Sequence, residues 1–451
     1  MKAYETVVSY SGMSGHAVVV EFDLPYRMVF WSKAQYAGCW DLGSDVWFTS
    51  EWIETNSPEN NHCYEPIMDK RLKYSNVEIL ESNAARVRVR WRYACNDLRY
   101  RIFHGNTRGE EIFTIYPDGI AVREVTVYPG DETSFGGNPN FWQVIEWITM
   151  IGTANRPEDV FFPDPALLFM NEEGESAKIQ YPIQFDQFQP LCAAFPQISE
   201  WNMFIGSVRL RDRPNPFAIL ANDQRLFPHK PCSHCGKDHP YFTLFSKGGC
   251  LWRYPSINED FVLSESGNNV IGERPVSASF IDGNYDMRPR GTGLENRKGA
   301  RYLVATPPPG TSWLVLTGAG IQDPAELREL AVSWYSPARI VTGHEWPPDF
   351  ITSGAAQSGS TIYDGYAYSI RAYTFRKFGV PRIEFRMEVD HPIVNPVFMV
   401  DGWESPNTVV EMDNVTLDRA MYSYAVRGNE LILHLRAKIK RNTSFAIAET
   451  P

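Results

Sequence analysis

The sequence predicts an all-β protein: a large N-terminal β-sandwich of the supersandwich type, then a short helix and a smaller C-terminal β-sandwich. Short runs rich in β-branched and aromatic residues recur along the 451 residues, and turn residues separate them. The 32 glycines and 32 prolines fit a chain with many loops between short strands. The runs with strand character are 17–22, 86–93, 112–116, 120–127, 301–305, 313–317, 382–389 and 430–438.

The clearest strand covers residues 86–93, where arginines alternate with apolar side chains. Successive side chains of a strand point to opposite faces, so the arginines share one face. Guanidinium groups stay charged and match carboxylates, sulfates and phosphates. The pattern predicts either a groove for an anionic ligand or a surface ladder paired with acids on neighbouring strands. The arginines are Arg86, Arg88, Arg90 and Arg92.

A tight turn is predicted at residues 116–120, Tyr-Pro-Asp-Gly-Ile. Proline presets φ, the aspartate side chain accepts a hydrogen bond from the nearby backbone, and glycine tolerates positive φ. A hairpin therefore joins the strand before it to the strand after it. We also expect a short helix over residues 142–151, between two strand-rich regions.

One helix with clear end signals divides the chain. Asp323 is a good N-cap and Pro324 suits the first helical position, while a Ser-Pro pair follows the helix. We predict a connector over residues 321–337, after a large β-sandwich of residues 1–320 that holds the catalytic site. Residues 338–451 then have the size of a second, small β-sandwich.

The amino-acid composition limits the classes of binding partner that the protein can have. A net charge of -11 without any basic tract argues against nucleic acid and against an anionic membrane surface. No apolar stretch reaches the length of a membrane span. The start of the chain lacks the apolar region of a secretory signal, and seven scattered cysteines do not suggest a disulfide framework. We expect a cytoplasmic protein, or a periplasmic or secreted one if a signal peptide was removed.

Aromatic residues are abundant: 13 tryptophans, 22 tyrosines and 26 phenylalanines. Many must pack in a core, but tryptophan and tyrosine also form flat amphipathic platforms that suit sugar rings. Motifs for nucleotide binding, for the α/β-hydrolase nucleophile elbow and for zinc proteases are absent from the sequence. No organic cofactor is expected. The oligomeric state is not indicated.

Residues 229–239 contain five side chains that can ligate a metal, including a Cys-x-x-Cys pair. Thiolate and imidazole ligands suit tetrahedral zinc, which would order a long loop that has few apolar residues. A reduced metal-free loop and a redox pair are the alternatives. The candidate ligands are His229, Cys232, His234, Cys235 and His239.

A second polar cluster precedes the arginine strand, over residues 62–71. His62, Lys70 and the carboxylates of Glu65 and Asp69 could perform acid–base chemistry, or form a surface salt-bridge network. The pair Glu110 and Glu111 invites the same two interpretations.

Four segments resemble a group of bacterial β-sandwich proteins of ulvan-type glycan degradation, which includes polysaccharide lyases and uronate dehydratases. The likeness covers about residues 17–130, and it implies a lyase acting on uronate-containing polysaccharides or oligosaccharides. The group has a histidine before Trp-Arg-Tyr, where this chain has Arg90. The segments are 25–31, 63–70, 85–93 and 113–123.

The resemblance implies β-elimination. A base removes the proton next to the uronate carboxylate while a cation neutralises that carboxylate, and an acid protonates the departing oxygen. Arg90, Arg92 or Arg123 is the candidate for the neutralising cation. The full set of candidate substrate-binding residues is Arg88, Arg90, Arg92, Arg123 and Lys70. The residues implied as base or acid are His62, Tyr93, His239 and Tyr241.

Three other functions remain open at this point. A glycoside hydrolase would need a carboxylate pair. A non-catalytic glycan-binding protein needs the groove and the platforms but no base, and a structural role in a capsid or fibre is open to any β-sandwich. The carboxylates available to a hydrolase are Glu65, Asp69, Glu110 and Glu111.

Overall fold

The fold is all-β with one long helix, as the sequence predicts. This fold is seen in a computed structural model of the protein. The residues it describes are 1–50, 53–56, 63–97, 99–131, 142–143, 145–152, 155, 157–180, 195, 197, 201–221, 241–243, 250–252, 276–284, 309–342 and 360–450.

The first part of the chain forms strands joined mostly by short turns. In chain order they are β1 (Lys2–Tyr10), β2 (Met13–Glu21), β3 (Arg27–Trp31), β4 (Gly38–Asp41), β5 (Val46–Ser50), β6 (Glu54–Asn56), β7 (Cys63–Tyr64), β8 (Asn76–Ser82), β9 (Val87–Ala94), β10 (Arg108–Ile115), β11 (Ile120–Tyr128), β12 (Trp142–Gln143) and β13 (Ile145–Ile151).

The middle part adds further strands and, among the described residues, two α-helices. They are α1 (Pro157–Val160), β14 (Leu167–Met170), β15 (Ser176–Ile179), β16 (Met203–Val208), β17 (Pro216–Ala221), β18 (Tyr241–Thr243), β19 (Cys250–Trp252), β20 (Val276–Asn284), β21 (Thr311–Ala319) and α2 (Pro324–Tyr335).

The last part is again made of strands. They are β22 (Arg339–Thr342), β23 (Ser360–Ala367), β24 (Ala372–Phe378), β25 (Arg382–Glu388), β26 (Ile393–Val394), β27 (Val397–Asp401), β28 (Asn407–Met412), β29 (Val415–Thr416), β30 (Tyr422–Arg427), β31 (Glu430–Leu435), β32 (Lys438–Ile439) and β33 (Thr443–Thr450).

Two nine-stranded sheets dominate the region before α2. One has the order β1-β2-β3-β4-β5-β13-β20-β18, with β19 also paired to β20, and the other has the order β15-β14-β16-β17-β21-β11-β10-β9-β8. Aromatic side chains join the two sheets: the rings of Phe30 and Phe113 are 5.0 Å apart, and those of Trp147 and Phe169 are 5.6 Å apart. The apolar faces of both sheets thus form one core.

The predicted turn at residues 116–120 is confirmed. The N–H of Tyr116 donates to the carbonyl of Ile120 at 3.0 Å, and the N–H of Gly119 donates to the carbonyl of Tyr116 at 3.0 Å. Gly119 has a φ of 71°, and the Asp118 carboxylate accepts from the N–H of Ile120. The turn joins β10 to β11 in antiparallel register.

The helix α2 is confirmed at both ends. The Asp323 carboxylate accepts from the N–H of Ala325 at 2.9 Å, Pro324 is the first helical residue, and Ser336 follows the last. Leu327, Leu330 and Trp334 are buried against the sheets. No helix in the described part of the chain has the length and apolarity needed to cross a bilayer.

The prediction of a helix over residues 142–151 is wrong, because this stretch forms the strands β12 and β13. The strand β13 lies between β5 and β20 in the first nine-stranded sheet. Its isoleucines and threonine favour a strand, and pairing on both sides supplies the hydrogen bonds that a helix would have made internally.

Residues after α2 form two five-stranded sheets, in the orders β22-β25-β33-β28-β29 and β23-β24-β27-β31-β30, and a short pair of β26 with β32. Their buried side chains form a second hydrophobic cluster, from Ala338 to Ile447. The boundaries at residues 320 and 338 stay a prediction.

The turn at 116–120 contacts the C-terminal strands. The Asp118 carboxylate accepts hydrogen bonds from Arg371 at 2.7 Å and from Asn395 at 3.1 Å, and it lies 3.2 Å from His434 Nε2. The ring of Tyr116 stacks on His434 and lies under the Arg371 guanidinium. These contacts fix one end of the second nine-stranded sheet against the C-terminal sheets.

Candidate functional site

The alternation predicted for the arginine strand is confirmed in β9. Val87, Val89, Trp91 and Tyr93 are buried in the core between the sheets. The three arginines between them point to the opposite face, where they are half-buried or exposed: Arg88, Arg90 and Arg92.

Acidic side chains of the neighbouring strands lie beside these arginines. Register places Glu78 of β8 opposite Arg90, and the two side chains form an ion pair of 2.5 Å. Arg92 lies 3.9 Å from the same carboxylate. The exposed fractions of Arg90 and Arg92 are 27% and 51%, so both interact with Glu78 at the surface. Of the two interpretations of the arginine strand, the surface ladder paired with acids therefore applies to Arg90 and Arg92.

Arg88 interacts less with acidic side chains than Arg90 and Arg92 do. Its Nε atom is buried without a hydrogen-bond partner in the described part of the chain. Burial raises the pKa of Glu124 on β11, and the positive charge of Arg88 opposes that rise. Arg88 therefore contributes electrostatically to a face that carries both signs of charge.

Arg86 lies just before β9 and has a different environment. Its guanidinium is buried and donates to Glu81 at 2.8 Å, and it lies 3.6 Å from Glu430 of β31. It also donates to the Met399 sulfur at 3.1 Å. This arginine therefore belongs to the contact between β8 and the C-terminal strands.

Arg123 and Tyr93 are enclosed between the sheets. Arg123 donates to the Glu111 carboxylate at 2.7 and 2.9 Å and also to the Ser50 carbonyl, while the Tyr93 hydroxyl donates to Glu111 at 2.7 Å. The Tyr93 oxygen also accepts from the N–H of Ile53. Burial raises the pKa of Tyr93 well above its ordinary value. These groups satisfy one another and leave no free donor for a ligand at the surface.

Lys70 follows the short 3-10 helix Pro66–Met68 and is half-buried. Burial lowers the pKa of its ammonium group to about 8, although the carboxylates of Glu65 and Asp69 oppose this effect. An amine with such a pKa is partly neutral near neutral pH and can accept a proton.

The loop after Lys70 is organised by Asp69, which is fully buried. Its carboxylate accepts from the backbone N–H groups of Lys73, Tyr74 and Ser75, at 2.6 to 2.9 Å. A carboxylate that holds three amides in this way fixes the path of the loop.

A second loop, after β9, is organised in the same manner by Asp97. This buried carboxylate accepts from the backbone N–H groups of Arg99 and Arg101, both at 2.9 Å, and from the Arg101 side chain at 2.7 Å. Tyr100 adopts a positive φ of 61° between them. Each loop thus has a buried aspartate as its anchor.

The two loops touch and form one surface, which we name the basic loop pair (residues 70–74 and 99–101). The Tyr74 hydroxyl donates to the Tyr100 carbonyl at 2.9 Å. Lys73 lies 5.0 Å from the Tyr74 ring centroid, and the guanidinium of Arg71 lies 5.9 Å from that of Tyr100. Arg71, Lys73 and Arg99 are exposed, and both tyrosines are half-buried.

The basic loop pair was not predicted as a unit. The sequence signal for it is an aspartate followed within five residues by basic residues and a tyrosine, which occurs at residues 69–74 and again at 97–101. That these two segments meet is seen only in the tertiary structure, from the contact between Tyr74 and Tyr100. Residues 95–107 connect β9 to β10 and carry the second loop.

Several predicted site residues lie outside the described residues. Tyr241 is the first residue of β18. Within the described residues, no group of three or more His, Cys, Asp or Glu side chains could hold a metal ion. The residues outside are the acid–base candidates His62 and His239 and the zinc candidates His229, Cys232, His234 and Cys235.

The carboxylates considered for a hydrolase are also placed. Asp69 and Glu111 are fully buried and hydrogen-bonded, as described above, and Glu65 is buried beside Asn96. Glu110 is half-buried on the outer face of β10, opposite Arg92. Asp69 and Glu111 are thus committed to the fold.

No protein-family model matches the chain, and a search of curated proteins finds no match.

Proposed function

We propose that this chain binds anionic, uronate-containing polysaccharides or oligosaccharides and cleaves them by β-elimination, as a polysaccharide lyase. The observation that supports the proposal is the basic loop pair, where exposed cations and half-buried tyrosines are held by two buried aspartates. The chain as a whole is acidic, so this concentration of positive charge is local.

The surface chemistry suits such a ligand. Guanidinium groups bind carboxylates and sulfates through paired donors, and Arg71 and Arg99 are exposed for this purpose. The rings of Tyr74 and Tyr100 offer apolar faces against which a sugar ring packs. Because Asp69 and Asp97 hold the loops in place, little ordering is required on binding.

The elimination step needs a base and a neutralising cation. In this proposal Lys70, with a pKa of about 8, takes the proton next to the uronate carboxylate, and the arginines of the basic loop pair stabilise the charge that develops on its oxygens. The electron pair of the broken C–H bond forms the C=C bond, and the glycosidic oxygen leaves. His62, His239 and Tyr241 stay as predicted candidates for the acid.

A second candidate is a glycan-binding protein without turnover. The placement of Tyr93 and Arg123 favours it, because both side chains are committed to Glu111 in the core and neither reaches a surface ligand. This candidate shares the ligand and the basic loop pair with the first, and differs only in the chemistry.

Incubation with ulvan, alginate, heparin-like and pectic substrates tests the proposal. We expect ultraviolet absorbance from an unsaturated uronate, and loss of this signal in Lys70→Met with affinity retained. Arg71→Ala combined with Arg99→Ala should weaken binding about tenfold or more. Arg339→Ala, an exposed arginine on β22, is the matched control.

The outcomes separate the candidates. Binding without any absorbance change supports the non-catalytic candidate. Reducing ends released without absorbance indicate hydrolysis. Absence of binding to every acidic glycan, or binding that the double arginine variant leaves unchanged, contradicts the proposed site itself.

A further inference from the structure

We propose that the outer face of the C-terminal sheet β22-β25-β33-β28-β29 holds a second binding site, for a neutral, hydroxyl-rich saccharide. A cavity of about 380 Å³ lies on this face. Its volume falls within the range of about 300–1,000 Å³ that is typical of small-ligand sites. We name it the C-terminal trough; its lining includes Arg382, Glu384, Arg386, Glu411, Ser444 and Ala446.

Small residues on the middle strand create the trough. Ala446 of β33 lies opposite Glu384 of β25 on one side and opposite Glu411 of β28 on the other, while Ser444 lies opposite Arg386. Side chains directly opposite one another share a face and are neighbours. Long side chains on the two flanking strands, β25 and β28, therefore stand on both sides of a low floor.

Arg382 holds the two acidic walls together. Its Nε donates to Glu384 at 2.7 Å and its second terminal nitrogen donates to Glu411 at 2.7 Å. The guanidinium fork thus fixes two carboxylates whose other lone pairs stay available to accept hydrogen bonds.

Arg386 supplies donors on the other side of the floor. It is exposed, and none of the described residues forms a hydrogen bond or an ion pair with its side chain. Its guanidinium group carries five N–H donors. Ser444, directly opposite, adds a hydroxyl that both donates and accepts.

The charge balance selects the ligand class. Arg382 and Arg386 are matched by Glu384 and Glu411, so these four side chains sum to zero. A phosphate or a polyanion would meet two fixed carboxylates, whereas saccharide hydroxyls donate to carboxylates and accept from guanidinium. The Ala446 methyl group offers an apolar contact for a ring face. This ligand differs in charge from the one proposed for the basic loop pair.

Titration of the full chain with neutral oligosaccharides (cello-, xylo-, malto- and manno-tetraose) tests the site, with trigalacturonate as the acidic probe. We expect calorimetric binding of at least one neutral tetraose, weakened about tenfold or more in Arg386→Ala. Ser444→Tyr, which fills the trough without removing a charge, should block binding. Arg339→Ala on β22 should leave it unchanged.

Two results would overturn the inference: no neutral tetraose binds, or the neutral ligand binds Arg386→Ala and Ser444→Tyr as tightly as the original chain. A thermal melt of each variant shows that the fold is retained. The variant with Arg71→Ala and Arg99→Ala should keep neutral binding, so failure of the basic loop pair and failure of this site are distinguishable.

Discussion

The Arg371 guanidinium donates to the Asp118 carboxylate at 2.7 Å, and both side chains are buried. Asp118 lies in the turn between β10 and β11, whereas Arg371 precedes β24, so the pair joins parts of the chain that are 253 residues apart. The pKa of Asp118 is held well below its usual range by Arg371 and His434, which outweigh the cost of its burial. The turn residue is therefore also an electrostatic anchor between two groups of sheets.

Asp118→Asn should destabilise the protein strongly. It leaves the buried Arg371 without a counter-charge, and breaking a buried pair from one side typically costs about 3–5 kcal/mol. The free energy of unfolding from denaturant titration measures the effect.

The control for this variant is Asp364→Asn, which removes a surface partner of Arg376. Exposed pairs contribute about 0–1 kcal/mol, so this change should be small. Equal effects of the two substitutions would show that burial of the Asp118 pair does not matter.

The free energy of unfolding should decrease as the pH falls, because His434 is buried. Burial lowers the pKa of this imidazole, with help from the positive charges of Arg371 and Arg436, although Asp118 opposes the shift and Tyr116 stacks on the ring. The unfolded chain takes up the proton at its ordinary pKa of about 6.5, which the buried ring resists. The contribution of His434 is therefore present above pH about 6.5 and is lost as pH falls below that value.

His434→Gln tests this dependence. The free energy of unfolding between pH 7 and pH 5 should change less steeply in the variant, whereas His16→Gln removes an imidazole on the surface and serves as the reference. Protonation of Asp118 is distinct, because its lowered pKa confines it to acid conditions. Identical slopes in all three proteins would exclude His434 as the responsible group.

Tyr93→Phe should destabilise the protein by about 1–3 kcal/mol, because the N–H of Ile53 loses its acceptor and Glu111 loses a donor in the core. Tyr128→Phe, at a half-buried position on β11, is the control. If turnover on an acidic glycan is found, Tyr93→Phe should retain it in the folded fraction. A large loss of turnover at unchanged stability would instead make Tyr93 a catalytic group.

Lys70 should react with acylating reagents at lower pH than an ordinary lysine. With a pKa of about 8, a substantial fraction of the Lys70 amine is neutral near that pH, whereas lysines in unstructured peptides titrate at about 10.4. Peptide mass spectrometry across pH 6.5 to 10 follows the modification, with the exposed Lys2 as the reference. A profile for Lys70 that coincides with that of Lys2 would remove its proposed role as a base.

The zinc prediction concerns residues 229–239, which lie outside the described residues. Elemental analysis should find about one zinc per chain, and Cys232→Ser should lower the melting temperature. Metal-free protein that melts at the same temperature as the original chain would end this prediction.

Local patterns predicted local structure well. The alternation in residues 86–93 placed the arginines and the apolar residues of β9 on opposite faces, and the proline, aspartate and glycine of residues 116–120 predicted the turn. The capping pair Asp323 and Pro324 located α2. The prediction of a helix over residues 142–151 was wrong, because part of this stretch pairs with β5 and β20 and forms a strand.

The sequence by itself determined which side of β9 carries positive charge, because side-chain alternation depends only on neighbours along the chain. Tertiary structure decided what each charge meets: Glu78 for Arg90, Glu81 and Glu430 for Arg86, and Glu111 for Arg123. Strand order and register bring together residues far apart in sequence, and no local pattern encodes such partners. The same reason explains why the two aspartate-anchored loops were recognisable as one surface only in the fold.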